Sequence, residues 1–227
     1  MKKPVIDYRT LRLSNITSPQ FRHLLLLSGW IVYLLMFFLT EKLIPVEKCH
    51  PVWCKLDDVI PFNELFVIPY VGWYLLIVVS LGYLLLYNVE NFKGLQTFIM
   101  VTQAIAIVVY IVWPSRQDLR PAEFPRENVL TWIMGLIYSA DTNTGVCPSL
   151  HVAFSLGIAS AWLKEKSAAW YVKLFVVVFV ILVCLSVSFT KQHSVVDFFA
   201  AIPVCLVAEI VAYGKYYKKK RVKEVVS

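Results

Sequence analysis

The chain has 227 residues, 59% of them hydrophobic and 16% charged, with a mean hydropathy of +0.66 and a formal net charge of +7. Soluble domains are normally about 45–50% apolar, so the composition excludes one and reads as a single integral membrane domain. The cations cluster towards the two chain ends, which is a topology signal and not a nucleic-acid footprint, so no nucleic-acid partner is expected.

Residues 1–22 carry Lys2, Lys3, Arg9, Arg12 and Arg22 and lack the small-residue cleavage site of a signal peptide. They read as a basic interfacial N-terminal arm, with a disordered tail as the alternative. Asn15-Ile16-Thr17 matches a glycosylation acceptor but falls on the side expected to be cytoplasmic. Six apolar runs follow, at residues 23–43, 65–87, 95–113, 150–163, 168–187 and 195–213. Each is at or near the roughly 20 residues that cross a bilayer, and none alternates with a period of two. The fourth is short and crosses only if it extends back through Ser149 and His151. The expected fold is all-α, a polytopic bundle of six transmembrane helices. Residues 23–213 would form the membrane domain and residues 214–227 a basic cytoplasmic tail.

The connection at residues 41–64 holds Cys49-His50-Pro51-Val52-Trp53-Cys54 and then Asp57-Asp58. Cys and His are zinc-ligand types, but this spacing matches no familiar site. A local Cys49–Cys54 disulfide is the expectation in an oxidising compartment. Residues 126–140 place Val129, Leu130, Ile133, Leu136 and Ile137 at helical spacing. This predicts a short interfacial helix before the fourth span, either a packing cap or one wall of a lipid groove. Cys184 and Cys205 lie inside apolar runs and read as packing residues.

With the N-terminus in the cytoplasm, the inside holds the arm, Lys93, Lys164, Lys166, Lys173 and the tail cations Lys215, Lys218, Lys219, Lys220, Arg221 and Lys223. The outside holds Lys42, Lys48, Lys55, Arg116, Arg120, Arg126 and Lys191. Fifteen cations against seven favour both termini inside.

Three polar clusters then fall on the outer side: Pro114-Ser115-Arg116-Gln117-Asp118-Leu119-Arg120-Pro121, Cys147-Pro148-Ser149-Leu150-His151 and Thr190-Lys191-Gln192-His193-Ser194-Val195-Val196-Asp197. Ionisable groups at membrane depth are candidates for function. His193 and Asp197, four apart, are expected on one helix face, where Asp fixes the imidazole tautomer and leaves the other nitrogen basic. A metal on His151, His193 and Asp197 would be repelled by Arg120 and Lys191 beside them. Those cations suit a phosphate, Arg as a planar fork and Lys as a point charge.

The clusters resemble the three signature motifs of the type 2 phosphatidic acid phosphatase superfamily: Lys-x6-Arg-Pro, Pro-Ser-Gly-His and Ser-Arg-x5-His-x3-Asp. Arg120-Pro121 matches the end of the first. Pro148-Ser149-Leu150-His151 matches the second, with Leu150 for Gly. Ser186, His193 and Asp197 fit the third. Trp113 stands at the first motif's Lys and Val187 at the third motif's Arg, with Lys191 and Arg116 as possible substitutes. Pro-Ser-Leu-His and Thr-Lys-Gln-His resemble a branch that includes inositol and sphingolipid phosphotransferases.

The resemblance implies that His193 is a nucleophile forming a phosphohistidine, that Asp197 orients it, and that His151 protonates the leaving alcohol. It implies that Ser149, Arg120, Lys191 and Arg116 hold phosphate oxygens, with no metal or other cofactor. The expected protein is a plasma-membrane lipid phosphatase acting at the outer face on phosphatidic acid, phosphatidylglycerol phosphate or a polyprenyl diphosphate. The alternative is a phosphotransferase that moves a phospho-headgroup to a lipid or inositol acceptor by the same intermediate. A third reading, from another class, is a non-catalytic lipid-binding or transport protein on this scaffold.

Overall fold

The computed structural model describes the backbone of residues 3–226 and the side chains of residues 3–217. Met1, Lys2 and Ser227, and the side chains of Lys218, Lys219, Lys220, Arg221 and Lys223, lie outside the described residues. The described residues are predominantly helical. In order come α1 (Ser28–Leu43), the strand β1 (His50–Pro51), α2 (Lys55–Val59), α3 (Val67–Tyr87) and α4 (Val89–Val112). Strand β2 (Ser115–Arg116), α5 (Val129–Ala140), α6 (Leu150–Lys164), α7 (Trp170–Phe189) and α8 (Val195–Val226) follow. The two strands pair in parallel, His50 opposite Ser115 and Pro51 opposite Arg116.

Among the described residues, five helical segments are long and apolar enough to cross a membrane: Arg22–Leu43, Glu64–Tyr87, Val89–Val112, Trp170–Phe189 and Val195–Tyr217. The expected fourth span is α6. At 15 residues it is about 22 Å long, short of a bilayer core of about 30 Å. Even so, α6 runs antiparallel to α4 between the same two ends of the bundle. At one end the Tyr110 hydroxyl donates to the Pro148 carbonyl (2.9 Å). At the other, Asn91 Nδ2 donates to the Ala161 carbonyl (2.9 Å) and Asn88 Nδ2 to Glu165 Oε2 (2.6 Å).

Those asparagines explain why α4 starts six residues before the apolar run expected at 95–113. Asn88 is the only residue between α3 and α4, and its side chain caps α4 by accepting from Asn91 N. Glu90 and Lys93 stay on the exposed side as an ion pair, while Asn91 turns inward to α6 and to the Tyr213 hydroxyl (3.1 Å). The polar residues that precede the apolar run are thus a helical turn whose inward groups are satisfied. At the other chain end, α8 continues through the segment read as a separate tail, with Pro203 inside it.

The core lies between α3, α4, α6, α7 and α8. Gly157 of α6 lets Phe98 of α4 approach so closely that a Cβ there would sit 2.5 Å from the ring. By contrast, α1 contributes no buried residue and leans on α4 through a bond from Trp30 Nε1 to Gln96 Oε1 (3.2 Å). The basic arm is folded back. Val5 N donates to Leu86 O (2.8 Å), and the Tyr8 hydroxyl bridges His23 Nε2 (2.9 Å) and the Leu85 carbonyl (3.0 Å). The expected helix over 126–140 is found from Val129, because Asn128 caps it by accepting from Leu130 N and Thr131 N.

Gly157→Val should lower the thermal midpoint in detergent, overpacking costing about 1–3 kcal/mol. Gly82, with no atom within 4 Å of an added Cβ, is the control. Gly82→Ala should be neutral or stabilising by up to about 1 kcal/mol. Equal midpoints for the two variants would refute a close α4–α6 contact.

Candidate functional site

The site grows from the turn between α7 and α8. Helix α7 ends in a Schellman motif: Lys191 N donates to Ser188 O (3.1 Å) and Gln192 N to Val187 O (3.0 Å). The residue that reverses the chain is Lys191 at φ 56, a left-handed conformation that costs a side-chain-bearing residue about 1–2 kcal/mol. Its ammonium is engaged elsewhere, donating to the carbonyls of Asp57 (2.7 Å) and Ile60 (2.5 Å). Burial lowers its pKa from the ordinary lysine value, against the pull of Asp57 and Asp58.

His193 lies in this turn, before α8 begins. The expected shared helix face is therefore replaced by a capping arrangement. Ser194 is followed three residues later by Asp197, whose Oδ2 reaches back to Ser194 N (3.0 Å). The same oxygen stands 3.3 Å from His193 Nδ1. One carboxylate thus caps a helix and fixes an imidazole, leaving Nε2 as the ring nitrogen available for chemistry. Asp57 completes the cap from the distant α2. Its carboxylate accepts from Ser194 Oγ (2.6 Å), Val195 N (2.8 Å) and Cys54 N (2.8 Å), and the residue is 2% exposed.

Ser149 caps α6 by accepting from Val152 N, and its own N–H donates to the Asp197 carbonyl (3.1 Å). This seam places the ring of His151 5.5 Å from that of His193, between centroids. Tyr70 and Trp73 pack on His151 at 4.7 and 4.1 Å. His151 Nε2 is buried without a hydrogen-bond partner. Cys147 lies alongside, its thiol pushed up to about 12 by burial and by the facing Asp197 carboxylate.

Both histidines line a cavity of about 700 Å³. Its polar end holds His151, His193, Gln192, Asp141 and Thr142. Its long end is walled by Trp30 and Leu34 of α1, Ile77, Val78 and Leu81 of α3, and Phe154 of α6. Thr142 Oγ1 also donates to Glu41 of α1, closing the rim. Burial raises the pKa of Asp141, with Arg120 and His193 opposing it.

Of the expected phosphate-holding residues, Ser149 lies in the seam between the histidine-bearing segments, while the donors of Arg120, Arg116 and Lys191 are engaged elsewhere. Arg120 is adjacent, but its Nη1 donates to the Tyr138 and Asp141 carbonyls and its Nη2 to the Thr142 carbonyl and Gln192 Oε1 (2.8 Å). Its guanidinium lies over the Tyr138 ring at 4.7 Å, and only Nε is buried without a partner. Arg116 pairs with Asp118 (3.0 Å) and the Val46 carbonyl (3.2 Å). Neither Arg116, Arg120 nor Lys191 lines the cavity.

The local disulfide expected between Cys49 and Cys54 is not formed; both are free thiols. Cys49 turns to the Pro45 carbonyl, Cys54 caps α2 beyond the strand, and the intervening His50 stacks on Trp113 at 5.3 Å. Among the described residues, no three His, Cys, Asp or Glu side chains converge as metal ligands.

Sequence reasoning missed Asp57, Asp141, Gln192, Tyr70 and Trp73. Only the Ser194-to-Asp197 capping spacing and the position of Gln192 beside His193 carried a signal. Comparison with family models, curated proteins and solved structures finds no match to this chain.

Asp57→Ala removes a buried acceptor from three donors and should lower stability by about 1–3 kcal/mol, read as a thermal midpoint. Asp58, exposed and bonded to Trp53 Nε1, should tolerate Ala within about 0.5 kcal/mol. If the two variants melt together, Asp57 does not anchor the turn.

Proposed function

We propose that this chain is an integral-membrane enzyme that breaks a lipid–phosphate bond through a phosphohistidine on His193. The carrying observation is one cavity that joins a carboxylate-fixed His193 and a second His at its polar end to a long apolar slot. Phosphoryl transfer needs positioning and charge stabilisation more than covalent machinery, and a covalent intermediate divides one hard step into two. His193 Nε2 attacks phosphorus, while Asp197 holds Nδ1–H and stabilises the imidazolium. His151, whose Nε2 is unclaimed, protonates the departing lipid oxygen. No step requires a metal.

The first reading is a lipid phosphatase, with water as acceptor and phosphatidic acid, phosphatidylglycerol phosphate or a polyprenyl diphosphate as substrate. The second is a phosphotransferase with an alcohol as acceptor, favoured by the apolar walls around the histidines. We further propose that α6 makes a sixth crossing, that both termini are cytoplasmic and that the site faces outwards at the plasma membrane. The buried backbone of residues 146–149 supports a short α6 at membrane depth, because irregular backbone is tolerated there only inside protein.

The roles of the two histidines separate by leaving group. His151→Ala should lose lipid turnover by about 10²–10⁴-fold, the usual contribution of a general acid. It should keep much more activity on p-nitrophenyl phosphate, whose leaving group needs no proton. His193→Ala should be inactive on both. Equal losses in His151→Ala would remove it as the acid, and activity retained in His193→Ala would remove the nucleophile.

Sidedness is tested at Lys55, exposed at the start of α2. With all five native Cys replaced, Lys55→Cys should react with a membrane-impermeant thiol reagent in intact cells. Labelling only after permeabilisation would invert the topology.

A further inference from the structure

A second cavity, of about 400 Å³, opens between α1 and α4. Tyr33 borders both this groove and the histidine cavity, and among the described residues it is the only one they share. The groove runs from Met100 to Ile107 on α4, about 10 Å at 1.5 Å per residue. Among the described residues no Lys, Arg, His, Asp or Glu lines it.

Its floor holds one unsatisfied polar group. Gln103 is 3% exposed, lines the groove, and has an amide Nε2 with no hydrogen-bond partner. Its Cα is about 14 Å from the nearer end of α4, well inside a hydrocarbon core of about 30 Å. Two turns earlier on the same helix, Gln96 is fully paired with the α1 side. Its Oε1 accepts from Trp30 Nε1 (3.2 Å) and its Nε2 donates to the Leu26 carbonyl (3.1 Å). At Gln103 the chain supplies no such acceptor, and an unpaired buried donor is a standing cost to the fold.

The surroundings select what can answer that donor. A water needs about 2–4 polar partners, and the nearest other hydroxyl in the groove wall that is free of the histidine cavity, Ser28, already donates to the Leu25 carbonyl (2.6 Å). A crossing helix consumes its own backbone carbonyls internally. A phospholipid headgroup is excluded by the depth and by the lack of cations. What fits is a compact apolar body that brings its own uncharged acceptor. A groove of this size, apolar with one directed polar group, has the character of a small-molecule site. Two of its walls, Met36 and Met100, are unbranched thioethers that adapt to a ligand's shape.

We propose that the α1–α4 groove binds an uncharged lipophilic carbonyl compound, held by a hydrogen bond from Gln103 Nε2. The ring carbonyl of a quinone and the ester carbonyl of a neutral glyceride offer this same chemistry. The site is independent of the phosphohistidine reading. Its occupant braces α1, which has no buried residue of its own, against α4, so binding stabilises the folded chain.

The test follows the thermal midpoint of the purified full chain in detergent micelles with decylubiquinone, dioleoylglycerol or hexadecane. A carbonyl probe should raise the midpoint saturably, by about 3 °C or more at ten times its half-saturating concentration, and hexadecane should not. A rise with decylubiquinone alone assigns the quinone source, and one with dioleoylglycerol alone the glyceride. Equal rises with all three, or none with any, overturn the proposal. Gln103→Leu removes the unpaired donor, so without ligand its midpoint should hold or rise, and its affinity for the probe should fall at least about ten-fold. A lower midpoint with an unchanged response would make Gln103 structural. Ala104→Trp, at an exposed position on the groove, fills the space with Gln103 intact and should also abolish the response. A response that persists there places the ligand elsewhere and overturns the site. A wild-type dimer in light scattering that Gln103→Leu dissociates would give the donor to a second copy instead.

Discussion

The fold depends on satisfying one polar turn in a buried place. Thr190, Gln192, His193 and Ser194 are all buried between two apolar helices, and unpaired backbone or side-chain groups there cost several kcal/mol each. Asp57 and Lys191 remove most of that cost by crossing in opposite senses. The Asp57 carboxylate accepts from the start of α8, while the Lys191 ammonium donates to carbonyls around Asp57. The left-handed strain at Lys191 is held by this double attachment and by the Schellman bonds behind it. What emerges is a rigid turn that presents His193 at a fixed angle, with Asp197 already in place beneath it.

The turn packs against an equally fixed neighbour, the short α6. The capped N-terminus of α6 lies beside the end of α4, where the Tyr110 hydroxyl donates to the Pro148 carbonyl. Ser149 is tied to Asp197 through the backbone, which joins the two His-bearing segments directly. At the opposite end, Lys164 and Glu209 pair at 2.6 Å under the Tyr213 ring, and Asn91 joins α4, α6 and α8. These polar clasps sit at both ends of a helix too short for apolar packing alone to set its depth. Depth is what places His151 level with His193.

Much of this was legible in the sequence. Long apolar runs gave the helices because their periodicity and length leave no alternative in a membrane. The pairing of His193 with Asp197 followed from the types and spacing of residues, although the expected geometry, one helix face, was replaced by a cap. What was not legible depended on contacts distant in sequence. Nothing local distinguishes Asp57 from its neighbour Asp58, yet one is buried under α8 and the other is on the surface. Arg120, Arg116 and Lys191 illustrate the same limit. Sequence shows that cations are near, but not that carbonyls and carboxylates already occupy their donors. The Cys49–Cys54 pairing failed for the related reason that a strand, paired with β2, separates the two residues and fixes their directions.

The contrast between α1 and the rest of the bundle is one of packing. The His-bearing core is closed by interlocked contacts such as Gly157 against Phe98, which tolerate little displacement. Helix α1 has no buried residue, and it forms one wall of the cavity with only a few polar attachments: Trp30 to Gln96 along its length and Glu41 to Thr142 at the rim. Stability in such a structure is unevenly distributed, and weakly packed elements open at lower free energy than the core. Fixed geometry is therefore concentrated at the polar end of the cavity, around His193 and His151. The apolar wall that α1 contributes is held by fewer such contacts. Among the walls of the cavity, α1 is therefore the element whose displacement costs least.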